Sequence, residues 1–476
     1  MTAAVVLAAG LGKRMKSSLP KVLHRIHGSP MLQHVLNTLS RLKLQRVVIV
    51  TGKFDNQIRE SIRYSDNISF AHQREALGTG DALMKASPLL RGFRGTVLIV
   101  NGDTPLITPG TIQKFQKLHR NKCNAISLLT FHAGDPGAYG RVIRDGKDTV
   151  LSIVENSDAN ETQKKIREVN SGIYAIETSA LSLLKEITMN ASKREYYLTD
   201  IIGIARGKGI KVGAYCVGSE DEMMGINTRQ ELDRARSLLK ERIIGNWLSK
   251  GVSFMDPSSV YLSSEATIGK DTVIYPNVHI EGPTRIGKEC TICPNVRIVN
   301  SIIEKAAIIK DSTLIEDSVI SERASIGPFA HLRPGSRIGR DAKIGNFVEV
   351  KKSVIGRGTK ASHLTYLGDA KVGSDVNIGA GTITCNYDGR QKHVTVIGNG
   401  AFIGSDSQLV APVKIGKGAF VGAGATITAD VPPGALALSR TQQKNISGWA
   451  MRKSTSMETR KPGHKTLARG KARKKD

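Results

Sequence analysis

From Ile268 onward, aliphatic residues recur at every sixth position, and no other feature of the chain restricts its fold so tightly. Ile268, Ile274, Ile280, Ile286, Ile292 and Ile298 form one run. A second reads Ile302, Ile308, Leu314, Ile320, Ile326, Leu332, Ile338, Ile344 and Val350; a third reads Ile397, Ile403, Leu409, Ile415, Val421 and Ile427. Four residues after the aliphatic comes a small or β-branched one, as at Thr272, Val278, Cys290, Ala306, Ser312, Ser318 and Ala324. One large and one small inward position per six residues describes a short strand plus a corner. Three such units close a triangular coil of 18 residues, and coils stack about 4.8 Å apart, as strands do in a sheet. The expected fold of this half is a parallel β-helix. In that frame Cys290 faces inward and Cys293 outward, so Cys290-x-x-Cys293 is not read as a zinc or redox pair.

The preceding residues have a different grammar. Short aliphatic runs at Ala4–Ala8, Arg46–Thr51, Thr96–Asn101, Asn124–Thr130 and Lys211–Val217 read as strands. Helices are expected near Pro30 (with Ser29 as cap and Pro30 as first helical residue), near Gly80 and near Thr108. Strand–helix alternation implies an α/β domain, Rossmann-like, with a mostly parallel sheet covered on both faces and ligands at the carboxyl ends of strands. Leu232, Ala235, Leu239 and Ile243 are spaced as one face of a linking helix. The chain therefore divides into an α/β domain (1–227), a helical linker (228–250), a β-helix (251–451) and a basic tail (452–476).

Composition narrows the setting. Five scattered cysteines suit a reduced, cytoplasmic protein. No secretory leader and no run of about 18 apolar residues is expected to form a signal or a membrane span. The net charge is +27. Between Arg452 and Lys475 stand ten Lys/Arg against one acid, which reads as a disordered tail able to touch nucleic acid or acidic surfaces, or simply to remain solvated.

The stretch LAAGLGKRMKSSLPK, residues 7–21, ends a strand in glycines and cations. Gly10 and Gly12 let backbone amides approach an anion, while Lys13, Arg14 and Lys21 supply charge. The spacing fits neither the P-loop nor the dinucleotide fingerprint. The string resembles the signature of sugar-1-phosphate nucleotidyltransferases, although Lys13 replaces the usual Ser or Thr. Segments containing Gln73, Leu77-Gly78-Thr79-Gly80, Asn101-Gly102-Asp103, Tyr139-Gly140-Arg141, Glu155, Asn170, Glu195-Tyr196-Tyr197 and Asn227 continue the resemblance in order. It implies that Leu7, Ala8, Ala9, Gly10, Lys21, Gln73, Gly78, Thr79, Asn101, Gly102, Asp103, Gly140, Glu155, Asn170 and Asn227 bind UTP or the sugar nucleotide product. It also implies that Arg14 and Lys21 stabilise departing pyrophosphate, and that Asp103 and Asn227 hold one Mg²⁺.

On the β-helix, Arg333 and Lys351 both point outward 18 residues apart, so they stack in adjacent coils, where two cations repel unless an anion joins them. Beyond Val350 the repeat passes through Ile355, Ala361, Leu367, Val372 and Ile378 with two five-residue steps. His363 stands at a corner, Ala380 is expected at the same corner one coil on, and Ser405 and Ala423 at another. Cys385-Asn386-Tyr387-Asp388-Gly389 interrupts the repeat. Irregularity concentrated around His, Asn and Tyr suggests a site.

From Ala4 to about Met451 the chain resembles the bacterial family joining an N-acetylglucosamine-1-phosphate uridyltransferase to a glucosamine-1-phosphate acetyltransferase, the latter a left-handed β-helix. The resemblance implies His363 as general base, Arg333, Lys351, Tyr366 and Asn377 on sugar phosphate, and Asn386 and Tyr387 orienting the acceptor. It further implies Ala380, Ser405, Ala423 and Arg440 on acetyl-CoA, and a homotrimer acting on small-molecule substrates. Two other readings remain: a pyrophosphorylase whose β-helix only assembles subunits, and a nucleic-acid-associated scaffold.

Overall fold

The computed structural model describes residues 1–191, 193–439 and 441–458, with side chains described as far as residue 453. In the first half, β1 (Thr2–Leu7), β2 (Arg46–Thr51), β3 (Ile68–His72), β4 (Thr96–Asn101), β5 (Ile126–His132), β6 (Glu168–Glu177) and β7 (Val212–Cys216) form a sheet in the order β7-β5-β6-β4-β1-β2-β3. Along this path pairing is parallel except at β6, which runs against both β4 and β5. Two further strands, Arg141–Arg144 and Val150–Val154, join the sheet antiparallel, the first to β6 and the second to the first. Alternate residues of β1 enter opposite cores, Ala3 and Val5 on one face and Ala4 and Val6 on the other. Such a strand is a continuous apolar run because both its faces are covered. Helices α1 (Met31–Ser40), α2 (Thr79–Ala86) and α3 (Pro109–Asn121) follow strands.

Helix α4 (Arg229–Leu248) joins the halves. Thr228 caps it, and Glu231 closes the capping box. Leu232 and Ala235 pack with Met15, Leu106 and Ile226 of the first half, whereas Ile244 enters the β-helix core. Pro30 stands at the cap position of α1 rather than inside it. Ser29 instead sits in a short strand and donates to Glu265, 3.0 Å away; that carboxylate recruits the hydroxyl expected to cap the helix.

The second half is a left-handed β-helix of two- and three-residue strands, stacked in parallel register on three faces. A single aliphatic core fills it from Val252 to Val431. Each corner column carries residues of positive φ, for example Asp271, Glu289, Ala306, Arg323 and Asp341 in one column. Polar and small residues tolerate that conformation, which lets the chain turn within a coil.

The first three aliphatics of the second run are out of phase with the expected frame, whereas Ile320, Ile326, Leu332, Ile338, Ile344 and Val350 keep it and are buried. Ile303 and Ile309 are 1% and 0% exposed, whereas Ile302 and Ile308 are 42% and 43% exposed. Leu314 likewise yields the core to Ile315, and the small inward slots are Ala307 and Thr313 rather than Ala306 and Ser312. Coils pair here with a shift of 17, as at Ile298↔Ile315 and Ile303↔Ile320, because one corner is a residue shorter. Adjacent aliphatics (Ile302-Ile303, Ile308-Ile309, Leu314-Ile315) make both frames look apolar in sequence.

Residues 449–458 form a helix, with the Lys453 ammonium over the Trp449 ring, 4.9 Å from its centroid. The expectation of disorder from residue 452 is thus wrong for its first residues: the charge count took no account of this i,i+4 pair. Residues 459–476 and Arg440 lie outside the described residues. No helix among the described residues is long and apolar enough to cross a membrane.

Candidate active sites

At the carboxyl ends of β1 and β4 lies a cleft of ≈ 680 Å³. It gathers Leu7, Ala8, Ala9, Gly10, Arg14, Lys21, Gln73, Gly78, Thr79, Asn101, Asp103 and Glu155, twelve residues singled out from the sequence. Gly12 has φ +63°, and a Cβ there would meet Lys21 Cβ at 2.6 Å, so glycine is needed both for the turn and for the lysine stem packed on it. The Lys21 ammonium pairs directly with Asp103 and donates to Asn227 Oδ1 at 3.0 Å. Asn227 lies outside the lining proper, but the Ile226 amide donates to the Asp103 carbonyl at 3.0 Å and Glu231 accepts from the Asn227 amide at 2.6 Å. The start of the linking helix is thereby tied to the end of β4.

The far wall is set by glycines and buried polar groups. Gln73 donates to Gly78 O (3.0 Å) and Asp81 (2.8 Å), which fixes its amide. Gly102 donates to Leu7 O, locking the ends of β1 and β4 together. Gly140 accepts from the Asn170 amide at 2.9 Å and abuts Glu155, where a Cβ would lie 3.4 Å from Oε1. Burial pushes the Glu155 carboxyl up despite a hydrogen bond from Thr199. Glu195 and Tyr197 also line the cleft. They belong to a motif visible in the sequence, yet only the fold shows which of its members face inward.

The donor set beside Lys21 is one carboxylate and one amide oxygen. No group of three or more His, Cys, Asp or Glu suited to a metal exists among the described residues. Such a pair fits Mg²⁺, which keeps water and phosphate oxygens in its shell and needs few protein ligands. The ammonium now between the two oxygens shows that the position favours a cation.

The second constellation lies on the β-helix. Register places Glu349 beside His331 and Tyr366, and Lys351 beside Gly368. The Arg333 amide donates to Val350 O, which sets Arg333 and Lys351 in adjacent coils on the same face. Arg333 pairs with Glu349 at 2.8 Å. Lys351 is held below the ordinary lysine range by Lys392, then by desolvation, with Arg333 adding to the effect. Lys392 arrives on the excursion that begins at Asn386; it bridges back to Tyr387, and Asn386 donates to Asp369 at 2.5 Å. Three cations crowded on one face make a binding place for an anion. Lys392 and Glu349 were not foreseen; counting one coil back from Tyr366 finds Glu349, but nothing local marks Lys392.

His363 stands at the edge of that face, its Nδ1 2.5 Å from Asn346 Oδ1. Pairings Asn346↔His363, Ala361↔Ile378, Ile378↔Ile403 and Ile403↔Val421 put Asn346, His363, Ala380, Ser405 and Ala423 in one vertical column. Ser405 and Ala423 therefore share the His363 corner instead of lining another. The excursion lengthens one coil to 25 residues and hides the alignment from a count of eighteen. Asn377 is on a different face, paired with Lys360 and Phe402, and a single chain does not bring it to Arg333 and Lys351. Tyr387 is exposed beside the excursion, its hydroxyl donating to Gly389 O at 2.8 Å.

Residues 4–160 match the MobA-like NTP transferase domain, residues 257–336 the GMPPB C-terminal domain, and residues 395–429 the bacterial transferase hexapeptide family. A bifunctional protein GlmU of Thermodesulfovibrio yellowstonii is 50% identical over 449 residues, covering 94% of this chain and 99% of the relative. Proteins of the same name from Pelobacter propionicus (47%; 94% of this chain and 98% of the relative) and Shouchella clausii (46%; 93% and 97%) are similar over the same span. With both folds, both constellations and likeness along nearly the whole length, the chain belongs to the family of the bifunctional protein GlmU.

Proposed function

We propose that the chain makes UDP-N-acetylglucosamine in two reactions, one per fold. The β-helix transfers acetyl from acetyl-CoA to glucosamine 1-phosphate, and the α/β domain joins N-acetylglucosamine 1-phosphate to UTP with loss of pyrophosphate. One observation carries the bifunctional reading over the single-activity one: a histidine and a cluster of cations project from the β-helix, where an oligomerisation module needs neither.

In uridylyl transfer, an oxygen of the sugar phosphate attacks the α-phosphorus of UTP and the bond to pyrophosphate breaks. The nucleophile is already an anion, so alignment and charge neutralisation do the work. Arg14 and Lys21 neutralise the leaving group, the Gly10 loop approaches the phosphates, and Gln73, Gly78 and Thr79 read the base. Asp103 and Asn227 would hold Mg²⁺, which supplies charge neutralisation across the phosphates.

In acetyl transfer, Arg333, Lys351 and Tyr366, together with Lys392, grip the sugar phosphate. The neutral amine attacks the thioester carbonyl, His363 takes the amine proton, and CoA leaves as thiolate. Donors at the Ala380 backbone or the Ser405 hydroxyl stabilise the developing oxyanion. Asn386 and Tyr387 orient the acceptor; Ala423 and Arg440 contact the CoA. The separation of Asn377 from Arg333 supports a homotrimer, in which a neighbouring copy brings one face against the other. Five free thiols suit the cytoplasm. Separate cores support a division at 1–227, 228–250 and 251–451, with the remaining tail as a surface for nucleic acid or other polyanions.

His363→Ala should abolish release of CoA thiol while sparing pyrophosphate release, and Asp103→Ala the reverse. Full acetylation by His363→Ala would remove the proposed base.

A further inference from the structure

We propose that Asn346 is a positioning residue for acetyl transfer that holds the His363 imidazole in its working tautomer; this rests on reading His363 as the base. The Asn346 side-chain oxygen lies 2.5 Å from His363 Nδ1. An amide oxygen can only accept, so Nδ1 carries the proton. A neutral imidazole has one N–H, and Nε2 is therefore left with a free lone pair for the amine proton.

The backbone builds this contact. Asn346 and His363 are Cα partners in adjacent coils, and each directly precedes a residue of positive φ, Phe347 (+56°) and Leu364 (+45°). Both side chains thus leave the rod at the same corner. Gly345 permits the close approach, since a Cβ there would clash with the Ser362 carbonyl.

The amide is the appropriate partner for a base that must be uncharged before each turnover. A carboxylate in its place would fix the same tautomer but would also favour the imidazolium. The titratable side chains that register places around this corner are Lys343 and Lys360 on one face, Glu349 and Tyr366 on the next, and Asp406 at the corner itself two coils on. None replaces Asn346 as the neighbour of His363 in the column: Ala380, Ser405 and Ala423 follow on the other side of His363, and Pro328 and Asp311 lie beyond Asn346.

The test uses the full chain and the pH dependence of CoA thiol release. Asn346→Asp should move the acid limb of the profile upward by about one pH unit and recover near-wild-type kcat above it. Asn346→Val should lower kcat about ten- to hundredfold across the profile, with both KM values changed less than about threefold. Pyrophosphate release, read on the same samples, should be unchanged in both. In ¹⁵N-histidine spectra, with His363→Gln supplying the assignment, wild type should show the Nδ1–H form and Asn346→Val a mixture. An unmoved Asn346→Asp profile, or an Nε2–H form in wild type, would overturn the proposal. If His363→Ala is inactive while the Asn346→Asp profile stays put, only the role of Asn346 falls; if His363→Ala still acetylates, the base assignment falls with it.

Discussion

Lys21 is ion-paired with Asp103 although 82 residues separate them, and the same ammonium reaches Asn227. A divalent cation at that carboxylate must take oxygens the lysine now holds. Lys21→Met should therefore bind Mn²⁺ about tenfold more tightly than wild type without nucleotide, measured by electron paramagnetic resonance. The same variant should lose about 10²- to 10³-fold in uridylyl transfer kcat, because the cation facing the leaving group is gone. Tighter Mn²⁺ binding together with undiminished turnover would contradict the role given to Lys21.

Gly10 and Gly12 separate ligand approach from folding. A Cβ at Gly10 meets nothing within 4 Å, whereas one at Gly12 strikes the Lys21 stem on a backbone of φ +63°. Gly10→Ala should leave thermal stability within about 0.5 kcal/mol and raise the KM for UTP. Gly12→Ala should lower stability by about 1–3 kcal/mol and also depress uridylyl transfer. Calorimetry beside pyrophosphate-release kinetics separates the two.

The phosphate grip on the β-helix should weaken in base earlier than an ordinary lysine site. Lys392 and desolvation lower the Lys351 ammonium, so it loses its proton as pH rises towards, but before, the usual lysine range. The KM for glucosamine 1-phosphate should therefore increase as pH rises, beginning below the pH at which an ordinary lysine deprotonates. Lys392→Ala removes the neighbouring amine, and the residual rise in KM should start at higher pH. A pH-independent KM would separate Lys351 from phosphate binding.

The phase of the repeat is testable by paired substitutions. Ile309 is buried and Ile308 is exposed. Ile309→Ala should cost about 2–5 kcal/mol, Ile308→Ala less than about 1 kcal/mol, both read from denaturant unfolding. Equal costs would return the repeat to its unshifted frame.

The α/β order and the existence of the β-helix were legible because burial imposes a period: alternate residues of β1 feed two cores, and each coil needs one inward aliphatic. The loop at Gly10–Lys21, Asp103 and His363 stood out because such residues interrupt that period. Phase was not legible where two aliphatics adjoin, since Ile302 and Ile303 have the same chemistry and only the length of a corner chooses between them. Nor was the meeting of Lys21 with Asn227, of His363 with Asn346, or of Lys351 with Lys392. Each joins residues across a coil, a sheet or an excursion, and such contacts depend on backbone closure rather than on any local pattern. Sequence determined which groups the molecule could use; the tertiary structure decided which of them stand within reach of one another.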